Sequence, residues 1–82
     1  MKIQSRAKFT NTYLRYHYDF ETDFTLDQIM LKIEEFQKIM IAGLSKKCGK
    51  IWSTMYFFEM YIIDEKGKQI NLFKKEKKNE NQ

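Results

Sequence analysis

The chain has 82 residues with a formal net charge of +4, and at 43% hydrophobic and 16% aromatic it is too apolar for a disordered polypeptide and of a size for one folded domain. A lone cysteine, Cys48, excludes an internal disulfide, and the paired Cys and His patterns of structural metal sites are absent, so no metal or other cofactor is expected. The N-terminus lacks the apolar core of a signal peptide, and the apolar run 55–63 is interrupted by Glu59 and far too short to span a bilayer, which predicts a cytoplasmic protein with no membrane partner.

Residues 8–20 alternate with period two. Thr10, Thr12, Leu14, Tyr16, Tyr18 and Phe20 fall on the side expected to meet the core, and Phe9, Asn11, Tyr13, Arg15, His17 and Asp19 on the wetter side, which predicts one long strand. A helix start follows. Thr25 is placed to be the N-cap, Gln28 completes a capping box, and Phe24 is placed to staple to Ile29 across the first turn. At 100° per residue, Leu26, Ile29, Met30, Ile33, Phe36, Met40, Ile41 and Leu44 form one apolar stripe, with Leu31 and Ile39 outside it. Lys46 and Lys47 suit the negative end of the helix dipole, Gly49 is a natural residue just past the C-terminus, and Gly43 is expected to weaken the last turns.

Residues 51–63 read as a second strand, with Trp52, Thr54, Tyr56, Phe58, Met60 and Ile62 on one face and Ser53, Met55, Phe57, Glu59, Tyr61 and Ile63 on the other. Asp64-Glu65-Lys66-Gly67 predicts a type I turn with Gly67 in the left-handed region, leading to a third strand in which Ile70 faces Ile62 and Leu72 faces Met60. The expected architecture is α+β, order β-α-β-β. It is a three-stranded, mainly antiparallel sheet with one helix on one face, spanning residues 1–75 as a single domain, followed by a disordered basic tail over 76–82.

One helix covers one face of a sheet, so the other face, which the alternation fills with Tyr13, Arg15, His17, Phe57, Glu59, Tyr61, Ile63, Asn71 and Phe73, is expected to meet something else. The candidate partner-binding residues are Tyr13, Arg15, His17, Phe57, Tyr61, Phe73, Lys74 and Lys75. The partner would be a protein target or a second copy of the chain.

Charge adds to this reading. Residues 1–20 carry +3, residues 21–45 carry −3 and residues 46–82 carry +4, so the ends are basic around an acidic middle. No catalytic residues are assigned. His17, the only histidine, has Arg15, Asp19 and Tyr13 on its face, but no second base accompanies it, and Cys48 falls on the core side of the helix. Three scattered glycines exclude a glycine-rich phosphate loop.

The sequence thus predicts a non-enzymatic binding protein that occludes a partner's surface. The absence of proline and the richness in Lys, Ile, Asn, Phe and Tyr fit an AT-rich phage or mobile-element genome, and with it an inhibitor of a host protein or ribonucleoprotein machine, of the anti-CRISPR or another anti-defence type, working in the host cytoplasm. The alternative is a small nucleic-acid-binding regulator that stacks bases on the aromatic face and holds phosphate with its cations.

Overall fold

The computed structural model describes residues 1–10 and 13–76. Strands β1 (Lys2–Phe9), β2 (Arg15–Glu21), β3 (Met55–Ile63) and β4 (Gln69–Glu76) form one antiparallel sheet in the order β2-β1-β3-β4. The class is α+β, and the expected three strands are corrected to four. What reads as one strand over 8–20 is two: the chain reverses between Phe9 and Arg15, and β1 takes a central place paired to both β2 and β3. β2 and β3, joined through the helices, run parallel with β1 inserted between them, and β4 returns from β3 by a hairpin.

The inward residues of β1 are Ile3, Ser5, Ala7 and Phe9, two of them small, so the strand carries only a weak apolar alternation. All four are buried. The small pair sits beneath the helix layer, and Ser5 satisfies its hydroxyl by donating to the Tyr18 carbonyl at 3.1 Å.

Two helical segments cross the sheet, α1 (Leu26–Leu31) and α2 (Ile33–Cys48), separated at Lys32, whose N–H is shared between the Gln28 and Ile29 carbonyls. The capping box at the start is complete: Gln28 N–H donates to Thr25 Oγ1 at 3.3 Å and Thr25 N–H to Gln28 Oε1 at 2.9 Å. Phe24 packs edge-on against Phe36, with ring centroids 5.8 Å apart. Ile29, Phe36, Met40 and Leu44 are buried as the stripe predicts, and Leu31 lies in solvent, but Met30 is half exposed and leaves the stripe. Gly49 ends α2 at φ +64°, donating its N–H to the Ser45 carbonyl.

Gly43 has a role beyond propensity. A Cβ there would lie 2.6 Å from the Tyr18 ring, so the glycine lets α2 approach β2.

The predicted strand over 51–63 begins later, at Met55. Gly49–Thr54 is a 3₁₀ helix in which Thr54 Oγ1 donates to the Ile51 carbonyl at 2.8 Å and Ser53 Oγ to the Lys50 carbonyl at 3.4 Å, local bonds that compete with strand pairing. The hairpin turn forms as predicted. Gly67 has φ +80°, its N–H donates to the Asp64 carbonyl, and Asp64 Oδ1 accepts from the N–H groups of Lys66 and Lys68. Ile62 faces Ile70, but Met60 faces Phe73 rather than Leu72 because a bulge gives β4 an extra residue there. That shift turns Phe73 to the helix side, where its ring meets Phe58 at 5.6 Å.

The core is the layer between sheet and helices. Ile3, Ile29, Met40, Leu44, Met60 and Ile62 are all but fully buried, each contributing about 1.5–3 kcal/mol by removal from water. The predicted tail begins at Glu76, which is the last residue of β4, and its remaining positions, 77–82, lie outside the described residues.

Candidate binding face

The sheet's outer face, away from the helices, takes one row of residues from each strand. β1 supplies Lys2, Gln4, Arg6 and Lys8, and β2 supplies Arg15, His17, Asp19 and Glu21. β3 supplies Phe57, Glu59, Tyr61 and Ile63, and β4 supplies Gln69, Asn71, Lys74 and Glu76. The register sorts these by charge. Lys8 faces Arg15 and Arg6 faces His17 at one end, whereas Gln4 faces Asp19 and Lys2 faces Glu21 at the other. Lys2 lies 4.0 Å from Asp19, so that end is close to neutral and the Lys8 end is positive.

Phe57 and Tyr61 belong to this face, yet they are only 7% and 6% exposed. Their cover is the protein's own long basic side chains. The Arg6 guanidinium lies 5.8 Å from the Tyr61 ring centre, and the Lys8 and Lys74 ammonium groups lie 4.9 Å and 5.7 Å from that of Phe57. These contacts combine cation–π attraction with burial of apolar stems along the rings. The expectation of an exposed aromatic surface is therefore corrected. The missing cover comes from β1 and β4, whose polar rows lie on either side of β3.

Glu59 anchors the arrangement. The residue is 3% exposed, and its carboxylate sits between neighbours that satisfy both oxygens: Arg6 Nε donates to Oε2 at 3.1 Å, Arg6 Nη2 forms an ion pair with the same oxygen, and Gln69 Nε2 donates to Oε1 at 3.0 Å. Among the described residues no buried side-chain nitrogen or oxygen lacks a partner. Lys74 stands opposite Glu59 in the register but forms no ion pair with it, because Arg6 and Gln69 hold both oxygens. Lys8, Arg15 and Lys74 likewise have no carboxylate within ion-pair distance among the described residues.

The other predicted residues divide. Arg15 and His17 project from β2 into solvent at the positive end. The His17 carbonyl accepts a 2.6 Å hydrogen bond from Lys47 Nζ, which reaches from α2 to the edge of β2. Tyr13 lies in the loop before β2 and is wholly exposed. Phe73 and Lys75 are on the helix side, displaced by the bulge from the face expected for Phe73.

Sequence reasoning missed Arg6, Lys8 and Gln69. The alternation of Lys2, Gln4, Arg6 and Lys8 with Ile3, Ser5, Ala7 and Phe9 was the available signal.

Among the described residues, no group of three or more His, Cys, Asp or Glu side chains is placed to hold a metal ion. Cys48 is buried, and desolvation raises its thiol pKa, partly opposed by the Lys47 charge. No helix among the described residues is long and apolar enough to cross a membrane. Compared with family models, curated proteins and solved structures, the chain matches none.

Proposed function

We propose that this chain is a non-enzymatic binding protein that masks an anionic surface on a protein or ribonucleoprotein machine with the positive half of its outer sheet face. The observation that carries the reading is the positive end of this face, where the exposed Arg15 and Lys74 and the half-buried Lys8 stand beside His17 with no carboxylate within ion-pair distance among the described residues, Lys8 and Lys74 lying over the already buried Phe57. The chemistry of the partner follows from the sign. A basic face is attracted to carboxylates and phosphates and repelled by a cationic groove, so the protein occludes by contact and does not imitate nucleic acid. A phage or mobile-element inhibitor of the anti-CRISPR or another anti-defence type is the class this size and composition suit.

The same cations also support a nucleic-acid regulator, and that reading changes in one respect. With Phe57 and Tyr61 covered, the outer face holds phosphate through cations and does not stack bases on these rings.

Titration of the whole chain with poly-glutamate and with a labelled single-stranded oligonucleotide at two salt concentrations separates the readings. Poly-glutamate binding, lost in Lys8→Glu with Arg15→Glu, supports the inhibitor. Preference for the oligonucleotide with a steep salt slope moves the function to nucleic acid. Binding of either polyanion that is indifferent to both substitutions overturns the outer-face assignment.

A further inference from the structure

A different part of the sheet is left open on the helix side. α2 packs chiefly on β2 and β1, the half of the sheet away from β4. The inner side of β4 is therefore only half covered, and Ile70, Leu72 and Phe73 remain partly exposed although they pack on the core. β4 is also an edge strand. Beside Phe73 the gap between α2, the 3₁₀ helix and β4 forms a recess of about 470 Å³. Aromatic rings of Trp52, Tyr56, Phe58 and Phe73 line it, with Lys75 at its β4 side.

The two edges of the sheet differ. At β2 the hydrogen bonds to β1 alternate along the strand, from Thr22 with Met1 onward, so the His17 carbonyl points away from β1, and Lys47 already occupies it. At β4 the bulge divides the edge into two regular stretches, and the longer is the one beyond it, Phe73 to Glu76. Within that stretch Lys74 lies on the outer face and Lys75 on the inner one, so a strand laid along it meets a cation on both of its faces. A second copy of the chain is the wrong occupant. Antiparallel pairing keeps opposed residues on one face, so self-pairing centred on Lys74 or on Lys75 sets that lysine directly opposite its own copy, a like-charge pair that destabilises strand pairing.

We infer that the edge of β4 beyond the bulge is a docking site for an extended segment of a partner protein, a short acidic strand with an apolar residue that enters the aromatic recess. Main-chain hydrogen bonds along Phe73–Glu76 supply affinity. The recess selects the apolar side chain, and Lys74 and Lys75 select carboxylates on either side of it. This site shares Lys74 with the outer-face reading but is distinguished from it by Lys75 and the recess, which lie on the opposite side of the sheet from Lys8 and Arg15.

The test is selection of a random peptide library on the immobilised full-length chain, followed by titration of the enriched peptides. Trp52, the only tryptophan, lies in the recess, so its emission reports occupancy. The expected peptides alternate a large apolar residue with Asp or Glu, shift the Trp52 emission, and bind about five- to tenfold more weakly to Lys75→Glu, the scale of one partly exposed charge contact reversed. Repeating the selection on Lys75→Glu, a surface change that leaves the core intact, is expected to enrich Lys or Arg in place of the acids. No enrichment, peptides without the acidic–apolar alternation, or binding unchanged in Lys75→Glu overturns the proposal. So does self-association, measured by light scattering, that the enriched peptides compete away, because it makes a second copy the occupant.

Discussion

Replacing Gly43 by alanine sets helix propensity against packing, and the structure decides the sign. On an open helix the change gains about 0.8–1 kcal/mol, because alanine loses less backbone entropy and glycine is the poorer helix former. Here the new Cβ would lie 2.6 Å from Cε1 and Cζ of Tyr18 and 2.7 Å from Cδ1. Carbon atoms pack at about 3.5–4.0 Å, so ring or helix must move by about 1 Å. The ring is rigid and moves as one body. The strand carrying it is held by a full ladder to β1 and by the Ser5 hydroxyl on the Tyr18 carbonyl, so the shift falls on the side-chain rotamer and on α2. Overpacking of this kind costs about 1–3 kcal/mol. Because Tyr18 is half-buried and part of its ring can yield toward solvent, the lower half of that range applies, and the net expectation is a loss of about 1 kcal/mol. For a domain of this size that is a fall in Tm of about 4–8 °C. Urea unfolding followed by Trp52 fluorescence and by circular dichroism measures it, and the companion variant Gly43→Ala with Tyr18→Val should regain the propensity term as a positive coupling between the two sites. A Gly43→Ala protein about 1 kcal/mol more stable than the parent would refute the close approach of α2 to β2.

Other substitutions test the polar and capping features. Arg6→Ala leaves the Glu59 carboxylate buried without its counter-charge. It should cost about 2–3 kcal/mol, less than a fully buried pair because the Arg6 side chain is 27% exposed, whereas Arg6→Met with Glu59→Leu should recover most of the loss in the same urea assay. Thr25→Ala removes the hydroxyl half of the capping box, and chemical denaturation should show about 1 kcal/mol less stability. Cys48 should alkylate with iodoacetamide far more slowly in the native protein than in urea, since burial both shields the thiol and disfavours its thiolate. The folded-state thiol pKa is raised, so the stability linked to it is full below the ordinary thiol range and is lost as pH rises from that range through the raised folded-state value. Between neutral and alkaline pH the urea midpoint of the parent should therefore fall more than that of Cys48→Ala.

Local features could be read from the chain because their causes are local. Thr25 and Gln28 satisfy helix-end groups within one turn, and Gly67 takes up the positive φ that the Asp64 turn requires. The stripe through Ile29, Phe36, Met40 and Leu44 follows from the helical repeat alone. The alternation over 55–63 placed Phe57, Glu59 and Tyr61 together on one face and Phe58, Met60 and Ile62 on the other, as found.

The candidate site was legible only in part, because its composition depends on which strands become neighbours. Arg15 and His17 kept their expected face. The removal of Phe73 and Lys75 to the helix side depended on a bulge that no residue between Met60 and Phe73 announces. The hydroxyls of Ser53 and Thr54, bonded back to carbonyls three residues earlier, replaced strand by 3₁₀ helix over a segment whose apolar alternation reads as extended.

By itself the sequence determined the α+β class, the helix with its cap, the hairpin turn and the division of β3 into two faces, all consequences of periodicity and backbone preference within a few residues. Only the tertiary structure decided that β1 lies between β2 and β3, and with it that Arg6 and Lys8 cover Tyr61 and Phe57. The physical reason is that pairing partners far apart in sequence set what surrounds a side chain. The same two aromatics are an exposed surface in a three-stranded sheet and a covered layer in this one.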